Sequence, residues 1–257
     1  NHAELAAACC VVVYEIISGR GPYERGLELV ERCLIRPPAS PAARTWLLAV
    51  QGFLLRQLGR WSASAAAIER GLQLARAEGL AIRESKLLNQ KASHAITTGD
   101  LQRAHDALNE SLAIARALEN RHQEALILGN LSAVLGEMGS HEDAMARCQE
   151  AQVLSELVGD RHLWGVNAVQ SGGLLRRRHR MTEAEANMRE GLAVLRELGN
   201  ELSEARAMLA LSELLVDVDR IDGINVSHEL LPLNGARGLR RHVEDDPVHT
   251  LNLVGDA

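Results

Sequence analysis

The stretch "GDLQRAHDAL", residues 99–108, decides the fold because the chain keeps returning to it. Forty residues later stands "GSHEDAMARC" (139–148), and forty earlier "GRWSASAAAI" (59–68). In frames of 40 the anchors are Gly59, Gly99, Gly139 and His179. Five residues after each comes a small residue: Ser64, Ala104, Ala144 and Ala184. Nine after comes an apolar one: Ile68, Leu108, Cys148 and Met188. Gly71, Ser111, Ala151 and Gly191 follow at twelve, and Leu74, Ile114, Leu154 and Val194 at fifteen. Steps of 4, 3 and 3 put these residues on one stripe of one helix.

About twenty residues after each anchor the pattern breaks, at "EGLAI", "LENRH", "VGDRH" and "LGNEL". Gly or Asn there suits a helix end that needs positive φ. A second helix follows. It carries Ser85, Ala125, Gly165 and Ala205 at +26, and Ala92, Ser132, Gly172 and Ser212 at +33. Ala95, Leu135, Leu175 and Leu215 stand at +36, while Thr45, Gly52 and Leu55 are the same three positions one unit earlier. Small residues seven apart on one face let a neighbouring helix approach closely. Each unit therefore reads as a helical hairpin, which cannot bury its apolar face alone; stacking copies solves that. The predicted fold is all-α, an α-solenoid of antiparallel helix pairs. Units fall near 1–38, 41–78, 81–118, 121–158 and 161–198, with a final helix at 201–217. The first is a partial copy in which Gly26 and Val30 of "GPYERGLELVERCL" stand two residues out of frame.

Composition agrees. Aromatic residues make up 2% of the 257 residues, so the core must be built from Leu, Ala, Val and Ile. The abundance of Arg over Lys points to a bacterial, GC-rich source. A net charge of −6 argues against a general nucleic-acid binder, which needs a basic surface. Cys9, Cys10, Cys33 and Cys148 show no zinc spacing, and the adjacent pair suits burial better than a disulfide framework. A reducing compartment, hence the cytoplasm, is expected. No signal peptide is visible. "AAACCVVVYEII" (6–17) is too short to span a membrane and is interrupted by Glu15. The chain begins at Asn1 rather than Met, so a piece of a longer protein is expected.

The pattern resembles the tetratricopeptide repeat (TPR). "LGNLSAVLGEMGSHEDAMARCQEA" supplies Leu128, Leu131, Ser132 and Leu135 for the first helix, then Ala144, Cys148 and Ala151 for the second. "SKLLNQKASHAITTGDLQRAHDALNES" supplies Leu88, Lys91, Ala92 and Ala95, then Ala104, Leu108 and Ser111. Lys91 departs from the family Leu, and the repeat is 40 long rather than 34. The longer form is similar to the arrays of bacterial signal-transduction (STAND) ATPases and transcription activators of the maltose-regulon (MalT-like) type. Kinesin light chains carry a similar length. The resemblance covers residues 20–217 and implies a right-handed superhelix whose first helices line a concave groove. Residues 218–257 depart from the frame, with Ile224 and His228 where a small and an apolar residue are due. A capping helix near 226–232 and a poorly ordered end are expected there. No helix-turn-helix of the LuxR-type activators is found in that segment.

His122 and His162 occupy one repeat position, each in an "RH" pair. Packed neighbouring helices would hold them about 10 Å apart, too far for one zinc, so no metal is expected. "RRRHR" (176–180) reads either as a solvated turn near a helix C-terminus or as a contact for an acidic partner. No P-loop, GxSxG, HExxH or kinase motif appears, and "SGRGPYERG" lacks the lysine. Cys33 and Cys148 fall on core-type positions. Neither a cofactor nor catalysis is expected.

The resemblance implies a surface instead. Family groove positions fall on Trp46, Ala49, Val50, Phe53, Arg56 and Gln57 in one unit. In the next they are Lys86, Asn89, Gln90, Ser93, Ile96 and Thr97. Then come Leu126, Gly129, Asn130, Ala133, Gly136 and Glu137, followed by Val166, Val169, Gln170, Gly173, Arg176 and Arg177. Asn89, Gln90, Asn130 and Gln170 make an amide ladder able to hold a peptide backbone, or else merely keep the face soluble. Lys86 and Arg177 could take a carboxylate. Trp46 and Phe53 read as an apolar pocket or, preferably, as packing between repeats. Two functions follow. One is a scaffold that binds a peptide or protein domain in the groove. The other is the regulatory arm of a larger ATPase or transcription regulator, whose ATPase or DNA-binding domain in the same longer chain would be the partner. Neither direct nucleic-acid binding nor a membrane partner is expected.

Overall fold

The computed structural model describes residues 21–38 and 40–218. Among them are ten α-helices and no strand. The helices are α1 (Tyr23–Ile35), α2 (Pro41–Gln57), α3 (Trp61–Ala77), α4 (Ala81–Thr97), α5 (Leu101–Ala117), α6 (Arg121–Glu137), α7 (His141–Leu157), α8 (Arg161–Arg177), α9 (Met181–Glu197) and α10 (Glu201–Asp217). From α2 onward every helix has 17 residues, and three residues separate it from the next. Connections this short make neighbours antiparallel. Partial-copy residues before 21 lie outside the described residues, as does the expected capping helix; of 218–257 only Val218 is described.

The turn explains the period. A positive-φ residue recurs every twenty positions, from Gly59 to Gly199. At Gly139 (φ 82) the amide donates to the Gly136 carbonyl, and the Ser140 amide donates to the Leu135 carbonyl at 2.9 Å. That pair of bonds closes the orphan carbonyls of α6. Glu119 (φ 52) and His179 (φ 58) make the same turn with a side chain in the way. Several helices then restart on a capping side chain. Asp100, Asp160 and Asn200 accept from the amides of Arg103, Leu163 and Ser203.

The described residues fall into two compact units, divided between Asn120 and Arg121. In the first, α1 packs on α2, α2 on α3, α3 on α4 and α4 on α5; α2 and α4, which are first helices of the TPR-like pairs as are α6, α8 and α10 (the first-type helices), also touch. Its core is aliphatic: Leu27, Val30, Leu47 and Leu54 form one cluster, Ile68, Leu72, Leu87 and Leu88 another. In the second unit α6 packs on α7, α7 on α8, α8 on α9 and α9 on α10. The first-type helices form a layer there, with α8 touching both α6 and α10. Val169, Met188, Leu195, Leu211 and Leu214 fill that core.

Small residues sit where helices cross. The Ser64 hydroxyl donates to the Gly52 carbonyl at 2.7 Å, and the Ser85 and Ser111 hydroxyls bond each other at 2.9 Å. A Cβ on Gly191 would stand 2.6 Å from the Gly165 carbonyl oxygen. The +33 position thus meets +5 of the following helix, and +26 meets +12. Each hairpin is an antiparallel pair closed through its small stripe, the unit of packing expected of an all-α TPR-like solenoid.

Candidate functional site

The first-type helices carry every residue the resemblance marked for the groove. In the first unit these side chains are largely committed to packing. Trp46 and Phe53 lie half-buried against the Leu27–Val30–Leu47 cluster. Arg83 stands 5.0 Å above the Trp46 ring and Arg56 5.5 Å above that of Phe53, covering both with cations. Burial lowers the Arg83 pKa from its ordinary value. Asn89 and Ser93 are buried, and the Ser93 carbonyl accepts the Thr97 hydroxyl. Lys86 and Gln90 are half-buried, and the Gln90 Oε1 accepts no hydrogen bond among the described residues. Lys91, the departure from the family Leu, reaches Glu69 at 3.6 Å.

In the second unit two sequence expectations need correcting. Asn130 has no exposed surface, so it cannot serve as a rung facing solvent, and Gln170 turns its Nε2 to the Gly129 carbonyl at 2.6 Å. The amides of this unit hold helices together before they hold a ligand, because a buried amide must bond within the protein. Arg177 is not free for a carboxylate either. Its guanidinium donates to Glu137 and to the Gly136 carbonyl. Arg176 reaches back to Glu213 at 2.8 Å and Asp217 at 3.2 Å. The basic run "RRRHR" is thus partly neutralised by acids from both neighbouring first-type helices.

The same layer leaves a depression of about 200 Å³ between α6, α8 and α10. The small residues Ala133 and Gly136 of α6, Gly173 of α8 and Ala210 of α10 line it. A Cβ on Gly173 meets no atom within 4 Å, so the space above it is open. Val169 and Leu209 supply apolar wall; Gln170, Arg176, Arg177, Glu137, Glu213 and Arg206 supply the polar atoms.

Arg206 is the residue that sequence reasoning missed. The residue as a whole is exposed, while burial of its guanidinium lowers the pKa from the ordinary value. It makes no hydrogen bond or ion pair among the described residues. The signal was available. Arg206, Leu209, Ala210 and Glu213 occupy in α10 the positions of Val166, Val169, Gln170 and Gly173 in α8, one frame further along.

The other candidates are occupied as structure. His122 Nε2 meets Asp160 Oδ2 at 2.9 Å, and His162 Nε2 meets the Ser203 hydroxyl at 2.9 Å. Burial lowers the His162 pKa against the pull of Asp160. No group of three His, Cys, Asp or Glu gathers as a metal site among the described residues. Cys148 is buried beside the Asn167 carbonyl, and burial pushes its thiol up to about 12. Such a thiol is a packing group. No helix among the described residues is long and apolar enough to cross a membrane.

Comparison with known proteins places this arrangement. No family model matches the chain, and no curated protein matches it. Solved structures do. The Rap protein complexed with Competence and Sporulation Factor aligns with a TM-score of 0.71 at 10% identity, over 94% of this chain and 64% of its own. A Signal Transduction ATPase with Numerous Domains from Pyrococcus horikoshii, which has a tetratricopeptide repeat sensor, gives 0.69 at 13% identity, over 93% of this chain and 36% of its own. NprR in complex with its cognate peptide NprX gives 0.61 at 13%, over 90% and 65%. These chains are longer than the part this one spans. At such identities the likeness concerns the fold, and the chain is a TPR-like helical repeat array.

Proposed function

We propose that the chain is a regulatory binding module that takes a peptide, or a peptide-like segment of another protein, on its first-type helices, and that it performs no catalysis. The observation that carries this is the open depression between α6, α8 and α10, where Gly173 leaves its floor unfilled and polar side chains surround an apolar wall. Rap and NprR, which share the fold, are seen with Competence and Sporulation Factor and with the cognate peptide NprX. Display selection tests the proposal: a library of random octapeptides is panned on the immobilised chain, and the retained peptides are measured by fluorescence polarisation. Retained peptides should lose about tenfold or more in affinity on Gly173→Leu, which fills the depression, while helicity is unchanged. An empty selection, or full affinity in Gly173→Leu, would refute it.

A second reading is favoured by the ATPase that shares the fold, in which a repeat array is called a sensor. On that reading the module is the arm of a larger regulator of the 40-residue-repeat type, in a reducing cytoplasm, and the segment it binds controls a neighbouring domain. The flanking coding sequence decides this reading: a P-loop or helix-turn-helix domain in the same gene supports it, and an open reading frame lacking both removes it.

A further inference from the structure

We infer that the depression between α6, α8 and α10 receives an acidic side chain, an aspartate or glutamate within an extended peptide, through the guanidinium of Arg206. The inference rests on the peptide-binding function proposed above and specifies its ligand chemistry.

Three arginines and two glutamates line the depression. The glutamates are already bonded, Glu137 by Arg177 and Glu213 by Arg176. What remains is one cation, Arg206, with no acid against it among the described residues. Arg206 lines the depression, and the planar fork of a guanidinium is best satisfied by the two oxygens of a carboxylate. Asp217, the other acid at the end of α10, is bonded to Arg176. No acid among the described residues supplies that anion, and on this inference it comes from a ligand.

Size and polarity select which anion. The space is about 200 Å³, enough for one side chain and its backbone but not for a folded domain. Val169 and Leu209 flank it, so the methylenes of a glutamate would lie against apolar wall while the carboxylate meets Arg206. Gly173 admits the peptide backbone above α8 without a clash. Arg176 and Arg177 are already taken by Glu213 and Glu137, so the depression offers no second cation for a further carboxylate. The chain as a whole carries −6, which disfavours peptides rich in acidic residues. One acid at one position is the charge pattern that fits.

The test uses a positional-scanning library of acetylated, C-terminally amidated octapeptides, so that no terminal carboxylate competes. It is run on wild type, Arg206→Gln and Arg206→Lys, each checked for wild-type helicity. Wild type should select Asp or Glu at one position, and replacing that residue by its amide should weaken binding about tenfold. Arg206→Gln should bind acid and amide forms alike, and Arg206→Lys should keep part of the preference. Selection of peptides with no acidic preference, or a preference unchanged in Arg206→Gln, would overturn the inference and leave peptide binding standing. Retention of no peptide by any of the three would overturn both.

Discussion

Gly172 and Gly173 are neighbours in α8, and exchanging each for alanine should move stability in opposite directions. Both are interior helical positions, where alanine is favoured over glycine by about 1 kcal/mol. At Gly173 nothing opposes that gain, because the new methyl meets no atom within 4 Å. Gly173→Ala should therefore stabilise by about 0.5–1 kcal/mol. At Gly172 the methyl would stand 2.5 Å from Met188 Cγ and 2.8 Å from the Ala184 carbonyl oxygen. Met188 Cγ lies near the root of its side chain, and the carbonyl belongs to the α9 backbone, so neither swings aside. Helix α9 would have to shift, and overpacking of this kind costs about 1–3 kcal/mol. After subtracting the helix gain, Gly172→Ala should destabilise by about 1 kcal/mol, which puts the two variants about 2 kcal/mol apart. Thermal unfolding followed by circular dichroism reads the difference. The midpoint should rise by about 2–4 °C for Gly173→Ala and fall by a similar amount for Gly172→Ala. Hydrogen exchange in α8 and α9 should show the same split. Changes of equal sign, or a neutral Gly172→Ala, would refute both the helix crossing and the openness of the depression.

Two further outcomes follow from the turns and the buried thiol. Glu119→Gly and His179→Gly should each stabilise by roughly 0.5–1 kcal/mol, since glycine adopts the left-handed conformation without the Cβ penalty these residues bear; a lower melting temperature for both would contradict the turn geometry. Cys148 stays a thiol in the folded chain while its unfolded counterpart ionises, so its folded pKa is raised and its contribution is fully present below about pH 9. As pH climbs from about 9 towards 12 the stability of wild type should fall relative to Cys148→Ala by about 1.4 kcal/mol per pH unit. Urea midpoints of the pair at pH 8 and pH 11 check this, and parallel curves would show that the thiol is not sheltered.

The helix pairs were legible because their signals are local. A residue that accepts positive φ every twenty positions and a stripe of small residues at +5, +12, +26 and +33 depend on a few neighbouring peptide units, and the turn bonds at Gly139 satisfy that requirement. The groove was legible only as a set of positions. Ending the groove positions at α8 hid Arg206, which the same rule reaches one frame further on.

Sequence by itself determined the repeat, the hairpins and the core stripe, since backbone geometry and hydrophobic spacing act over a single helix and its turn. Tertiary structure alone decided which polar groups remain available. Arg176 meets Glu213 and Arg177 meets Glu137, partners 37 and 40 residues away, while Arg206 meets none among the described residues. Long charged side chains on the groove face are indistinguishable along the chain. Only the packing of one first-type helix beside the next settles which are neutralised and which stays open to a ligand.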